Sequence, residues 1–512
     1  MDYLLKKDNF PVCEEILRQS SEQPVDLDFS LPDYCPDIER ILKCRLCPTV
    51  TSKNITSDRL DVDGTAVIRL YYLDSKKQAI RLCEHSSPFS CSFDLKGLSQ
   101  DRAASVRIKT EYLNCRAVGP RRLDIHGAFT VTAIVCEKGM QQYCNDIEGV
   151  DIQQKKHTET VSTLQGLGQQ QFTLSEVLDI GQGKATPESI LRSELCVVTR
   201  ESKAINDKLM LKADADLRIL YVTDVESGAQ DYMSFNIPIT QVIDVPGITE
   251  STINDIKLEV LSNNVSLKSE FDEGSTLVSL EARLSAVVFA YEDHTTELVD
   301  DAYSTDHELQ LGFQKVPVRK LISELNMNNS VRGEINTGDN NITKVIDLWC
   351  DNLSYITICE NGKTEIRGKL GCCMLALDSN SVPFCSEKTL DFVIEPELPG
   401  SVSDISADTE INATSMSFRI SGDNEVEIKA ELSVTGCIYQ NTKVKCITSV
   451  QGLEDRRKEK DNTAAVTLYY ADKGESLWDI AQLYCTSVEA IRLENNMTDD
   501  VIQAHAMVLI PM

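Results

Sequence analysis

No run of apolar residues in this chain approaches the ~20 that a membrane-spanning helix needs. Its opening residues, Met1-Asp2-Tyr3-Leu4-Leu5-Lys6-Lys7, lack the ordered basic and apolar regions of an export signal. These two absences set the expectation of a cytosolic protein with no transmembrane segment. Basic residues are short as well: 51 against 80 acidic, for a formal charge of −29. Nucleic-acid binding rests on basic phosphate contacts, so that class is set aside, and anionic membrane surfaces are disfavoured. Histidine is scarce, with only His85, His126, His157, His294, His307 and His505. None stands in a His-Glu-x-x-His arrangement, and the phosphate-loop and nucleophile-elbow motifs are missing too. Acyl transfer, phosphoryl transfer and zinc hydrolysis are each left without their parts. The expectation is a non-enzymatic protein with no catalytic residue, no cofactor and no metal ligand set.

What is present points to a long, folded, repetitive chain. At 512 residues, length suggests three or four domains, and 42% hydrophobic content is ample for cores. The 18 cysteines are scattered, unlike the dense framework of a small secreted protein, and read as reduced thiols. Residues 60–72 run Leu-Asp-Val-Asp-Gly-Thr-Ala-Val-Ile-Arg-Leu-Tyr-Tyr and alternate with period two. Residues 123–131, 209–221, 278–290, 366–374 and 426–438 do the same. Such alternation marks a half-buried strand of an antiparallel sheet. Asp74, Asp224 and Asp378 end the first strand of each copy, and Leu46-Cys47, Leu195-Cys196 and Trp349-Cys350 precede it. Self-similarity at a fixed period means duplicated units.

The fold class expected is mainly β: three tandem antiparallel β-rich repeat modules plus a small βααβ domain. The expected division is an N-terminal segment 1–30, modules 31–150, 172–300 and 342–451, a charged linker 452–464 and a terminal domain 465–512. Polar stretches at 155–160, 169–171 and 326–341 are candidate linkers. In module one, residues 31–38 read Leu-Pro-Asp-Tyr-Cys-Pro-Asp-Ile. Asp37 is placed to cap a short helical turn over Ile38, Ile41 and Leu42.

The last 47 residues are the most specific segment. Residues 466–470 open as a strand, and Gly474 breaks it. Ser476 is a helix cap with Asp479 three residues on, and Leu477, Ile480, Ala481 and Tyr484 share one helical face. Thr486 and Glu489 repeat the capping logic ahead of Val488 and Ile491. Residues 507–510 close as a strand that Pro511 stops. Trp478, between Leu477 and Ile480, reads as core.

The Gly-Glu-Ser-Leu-Trp-x-Ile-Ala run at 474–481 resembles a LysM domain. Where LysM domains carry Pro-Gly before the last strand, this chain has Ala504-His505. Together with the Leu-Pro-Asp-Tyr-Cys-Pro-Asp-Ile run and the β-rich repeats, it is similar to the SipL-like spore-coat morphogenetic family, built of tandem SPOCS domains and one C-terminal LysM domain. That resemblance implies a protein of the mother cell at the forespore surface and spore coat. Its implied partners are a coat-basement morphogenetic ATPase and other spore-coat proteins. LysM domains grip N-acetylglucosamine between two loops, so peptidoglycan or a chitin-like glycan is the alternative ligand. Carried over by position, the groove is Gly474, Glu475, Ser476, Leu477, Asn496, Met497, Thr498, Asp499 and Ile502.

Three further clusters invite a function and carry a plainer reading. Cys44-x-x-Cys47 has metal or redox spacing, but Ser193 replaces the first cysteine in the second copy, so a packed strand position is preferred. Cys372 and Cys373 are adjacent in a strand and face opposite sides. Asp300-Asp301 and Asp499-Asp500 lack the fixed spacing of a calcium loop.

Overall fold

The computed structural model describes residues 3–76, 79–96, 101–181, 184–225, 227–269, 276–338, 340–398, 403–458 and 466–511. Within them the chain is almost entirely antiparallel strand, with helices only near the C-terminus. The first module holds β1 (Leu4–Ser30), β2 (Ile38–Ile55), β3 (Arg59–Asp74), β4 (Ile80–Asp94), β5 (Arg102–Ala117) and β6 (Arg122–Glu148). The second holds β7 (Ile152–Asp179), β8 (Ser189–Ile205), β9 (Lys208–Asp224), β10 (Ala229–Asp244), β11 (Ile253–Ser269) and β12 (Thr276–Ser304). The third holds β13 (His307–Asn336), β14 (Ile342–Glu360), β15 (Lys363–Asp378), β16 (Pro383–Ile394), β17 (Ile405–Ile420) and β18 (Glu425–Arg457).

Each module is two three-stranded sheets with the same order. β2-β3-β4 is matched by β10-β9-β8 and β14-β15-β16, and β1-β6-β5 by β11-β12-β7 and β13-β18-β17. The six alternating runs of the sequence are the six central strands, β3, β6, β9, β12, β15 and β18. A central strand gives one full row of side chains to the core, so its period is clearest. In module one, Leu60, Val62, Ile68 and Leu70 of β3 meet Leu123, Ile125, Phe129 and Val131 of β6. Module three repeats this with Ile366, Leu370 and Met374 of β15 against Val426, Ile428 and Leu432 of β18. It also repeats a local device. Gly64 faces Phe89, and Gly368 faces Phe392, each ring lying where a Cβ would stand.

Several stretches set aside as linkers are strand. Residues 1–30 contribute β1, paired along its length with β6. Residues 155–160 and 169–171 lie inside β7, and 326–336 inside β13. Of the charged stretch 452–464, residues up to Arg457 continue β18, and 459–464 lie outside the described residues. These long strands bury side chains twice. β6 packs Val131 in the module-one core, then Tyr143, Cys144 and Ile147 in a shared core with Val161, Leu298, Val316 and Val444 from β7, β12, β13 and β18. Polar composition hid them because one face stays wet.

The turn of helix expected after Asp37 is strand β2. Register shifts between Ile38 and Arg40 and between Ile41 and Lys43 show bulges there. Each bulge adds a residue and breaks the period of two, which imitates helical spacing. The modules are also joined by charge. Arg192 of β8 pairs with Asp347 of β14 at 2.7 Å and lies over Trp349, which Arg45 of β2 covers from 5.8 Å. Lys53 and Ser105 of module one both reach Glu259 of module two at 2.6 Å. No helix among the described residues is long and apolar enough to cross a membrane.

Candidate functional site

The C-terminal unit is β19 (Val466–Ala471), α1 (Leu477–Leu483), α2 (Val488–Asn495) and β20 (Ala506–Pro511), with β19 and β20 paired antiparallel. Gly474, at φ +94°, turns the chain out of the strand. Ser476 then caps α1, its Oγ accepting from Trp478 N at 3.2 Å. The cap of α2 is Ser487, accepting from Ala490 N at 3.1 Å, and not Thr486. Thr486 N closes back on Ala481 O at 3.0 Å and so finishes α1, which passes the capping role one residue on.

The two loops expected to form the groove meet. Gly474 N donates to Ile502 O at 2.8 Å, Ile502 N to Glu475 O at 2.9 Å, and Leu477 N to Asp500 O at 2.8 Å. Gly474, Asn496, Thr498 and Asp499 are exposed, and Glu475, Ser476 and Met497 are half-buried. Leu477 and Ile502 differ: both lie in the core with Trp478, Ile480, Ile491 and Val508, as floor and not as rim. Much of the polar chemistry is already committed. The Glu475 carboxylate accepts from Tyr469 Oη at 3.2 Å and from Asp472 N at 3.1 Å, and the Ser476 hydroxyl is the cap. Asn496, at φ 52°, ends α2. The rim therefore offers a ligand mainly Asn496, Thr498 and Asp499. At the altered turn, His505 Nδ1 lies 2.9 Å from Asp472 Oδ1.

Some residues that build this unit were not singled out from sequence. Asn495 clamps α2 to β20, donating to Leu509 O at 2.6 Å and accepting from Leu509 N at 2.7 Å. Trp478 is core as expected, yet part of its cover comes from the body of the chain. Its Nε1–H donates to Asp301 Oδ2 at 3.0 Å, and its ring meets the edge of Tyr303 at 4.9 Å between centroids. The Tyr303 hydroxyl donates to Thr486 O at 2.7 Å. Burial pushes the Tyr303 phenol up. Asp301 thus receives an indole rather than seating a cation, and Asp500 is ion-paired to Arg492.

Elsewhere, Cys44 faces Cys115 of β5: that thiol and burial together push Cys44 up. Cys372 and Cys373 occupy different cores, as their opposite faces require. Cys373, Cys385 and Glu387 do cluster, with the two sulfurs 3.0 Å apart. Lys43 Nζ sits 2.8 Å from Glu387 and 2.7 Å from Asp351, so an ammonium already neutralises that carboxylate. The run at 31–37 is a turn locked by Arg121, whose Nη1 donates to Cys35 O and Asp37 Oδ1 at 2.8 Å and whose Nη2 donates to Pro32 O at 2.7 Å. Tyr34 is left 87% exposed at its tip.

The family model described as SipL, SPOCS domain matches residues 37–118 and 187–268. The LysM domain model matches residues 469–511. The chain has the SipL-like architecture of tandem SPOCS domains followed by a LysM domain. Each SPOCS match covers four consecutive strands, β2–β5 and β8–β11, and the same sheet order recurs in the third module. No curated protein and no solved structure matches the chain. SPOCS and LysM are non-catalytic binding domains, and together they mark a sporulation-related protein with a peptidoglycan-binding type of tail.

Proposed function

We propose that this protein is a non-enzymatic assembly scaffold of the spore envelope, working in the mother cell at the forespore surface. Its LysM tail docks a protein, the coat-basement morphogenetic ATPase, and its SPOCS modules recruit or bridge other spore-coat proteins. The observation that supports a protein ligand is the outer face of the β19–β20 pair. Leu468, Tyr470 and Met507 are 53%, 77% and 55% exposed there, with Tyr470 directly opposite Met507. A contiguous apolar strip suits a protein surface, where fully buried aromatic and Met side chains dominate affinity. Several weak sites on one rigid body also add up through effective concentration, which suits a layer built from many copies.

The groove is the second part of this docking surface. Replacing Asn496 and Met497 together with alanine removes two groove side chains and leaves the Leu477–Trp478–Ile491 core intact. The full-length double variant is expected to keep its fold and to lose at least about tenfold in ATPase affinity, since each buried interface contact is worth about 1 kcal/mol or more. A folded double variant that binds the ATPase normally removes the groove from the reading.

The second reading is peptidoglycan or a chitin-like glycan held in the same groove. The LysM match favours it, and Asn496, Thr498 and Asp499 supply polar groups suited to an acetamide.

A further inference from the structure

A cavity of about 420 Å³ opens where the three modules converge. Its walls come from β1, β5 and β6 of the first, β11 and β12 of the second, and β13, β14, β17 and β18 of the third. Its volume falls in the range of small-molecule sites. It is also strongly polar, which stability alone does not call for, because buried ion pairs repay little of their desolvation.

Most of these charges are matched. Arg18 forks onto Glu15 at 2.8 and 2.6 Å. Lys257 is paired with Asp408. Arg107 lies 3.6 Å from Asp408 and 3.5 Å from Glu410. Two groups on the wall are left over. The Arg319 guanidinium stacks 3.5 Å above the Tyr439 ring centroid, and its Nε is buried without a hydrogen-bond partner. It makes no ion pair with any described carboxylate. Asp255 is 5% exposed, and no side-chain hydrogen bond or ion pair joins it to another described residue. Burial pushes its carboxyl up to about 7. A buried polar group without a partner is unfavourable by about 1–3 kcal/mol, and each such group in a folded protein asks for an explanation.

We propose that this cavity binds a small zwitterion, a free amino acid or a dipeptide, with Arg319 taking the carboxylate and Asp255 the ammonium. The guanidinium edge matches a carboxylate through two parallel N–H donors. The flat stack on Tyr439 fixes that edge in advance, so little freedom is lost on binding. A zwitterion satisfies both leftover groups and adds no net charge to a cavity whose other charges are balanced. A simple anion would satisfy Arg319 and repel Asp255, and a simple cation would do the reverse. The site is separate from the LysM groove, and it stands whether that groove takes protein or glycan.

The test is calorimetry on the full-length protein with alanine and with alanyl-alanine. Acetate and ethylamine serve as one-ended probes, and inorganic phosphate as an anion control. At least one zwitterion is expected to saturate, with acetate, ethylamine and phosphate weaker by about tenfold or more, the loss of one charge-assisted contact. Binding of alanine or of alanyl-alanine each supports the proposal and sets the ligand's size. Arg319→Lys and Asp255→Asn should each weaken binding by about tenfold. The comparison among probes needs no variant, so a variant that misfolds does not blunt the test. Failure of both zwitterions to saturate by about 10 mM, or phosphate binding as tightly as either, overturns the proposal.

Discussion

Trp478→Phe tests whether the LysM unit is seated on the body of the chain. The ring area stays, and only the indole N–H to Asp301 Oδ2 is lost. A hydrogen bond to a charged group contributes about 1.5–3 kcal/mol. Asp301 is only half-buried, so water takes up part of the loss, and about 1–2 kcal/mol is expected. The edge contact with Tyr303 and the Tyr303–Thr486 hydrogen bond remain. Trp478→Ala is harsher: removing a buried aromatic costs about 3–5 kcal/mol, which matches the whole stability of a domain this small. Hydrogen exchange of the α1 amides reads the milder change without requiring the whole chain to unfold in two states. Trp478→Phe and Asp301→Ala should each speed that exchange by roughly fivefold to thirtyfold. Their combination should add little to either, because both delete one bond. Unchanged exchange in both single variants, or simple additivity, would refute the seated arrangement.

Three other outcomes follow from the fold. Gly368→Ala places a Cβ against Phe392 and the Ser354 carbonyl; overpacking of this kind costs about 1–3 kcal/mol, read as a lower thermal midpoint. Arg121→Ala frees the turn at 31–37, so its amides should lose protection while those of β3 keep theirs. Asp255 has a folded pKa of about 7, above its unfolded value. Between those values the folded state holds the extra proton, so stability falls as pH rises from about 4 to 7. The facing Lys257 and Arg319 pull that pKa down, whereas Asp408 and Glu410 push it up. Asp255→Asn should flatten this slope and stabilise the protein at pH 8 by up to about 4 kcal/mol, measured as melting temperature across pH; an unchanged slope contradicts it.

The six central strands were legible because each pairs on both edges and buries one row of side chains. β1, β7 and β13 were not. Pro11 and Pro24 in β1 and the Gln-rich run at 169–171 in β7 argue locally against strand, and pairing with β6 and β12 overrides them. The bulges at Ile38 and Ile41 scrambled the period and imitated a helix. In the LysM unit, Gly474 and Ser476 announce themselves by local chemistry, so the tail was readable almost residue by residue. Leu477 and Ile502 were placed in the groove by position, and their apolar side chains turned inward instead. The seating of Trp478 on Asp301 and Tyr303 joins residues more than 170 apart, and the Arg319 cavity needs strands of three modules. Nothing in a local pattern marks either one.

The most direct test of the scaffold reading is side-by-side binding of the full-length protein to the coat-basement ATPase and to chitin oligomers. Saturable binding to the ATPase, weakened by the Asn496/Met497 double variant, with no binding to the oligomers, is the predicted result. Tight binding to the oligomers with none to the ATPase would contradict it and move the protein to a peptidoglycan layer.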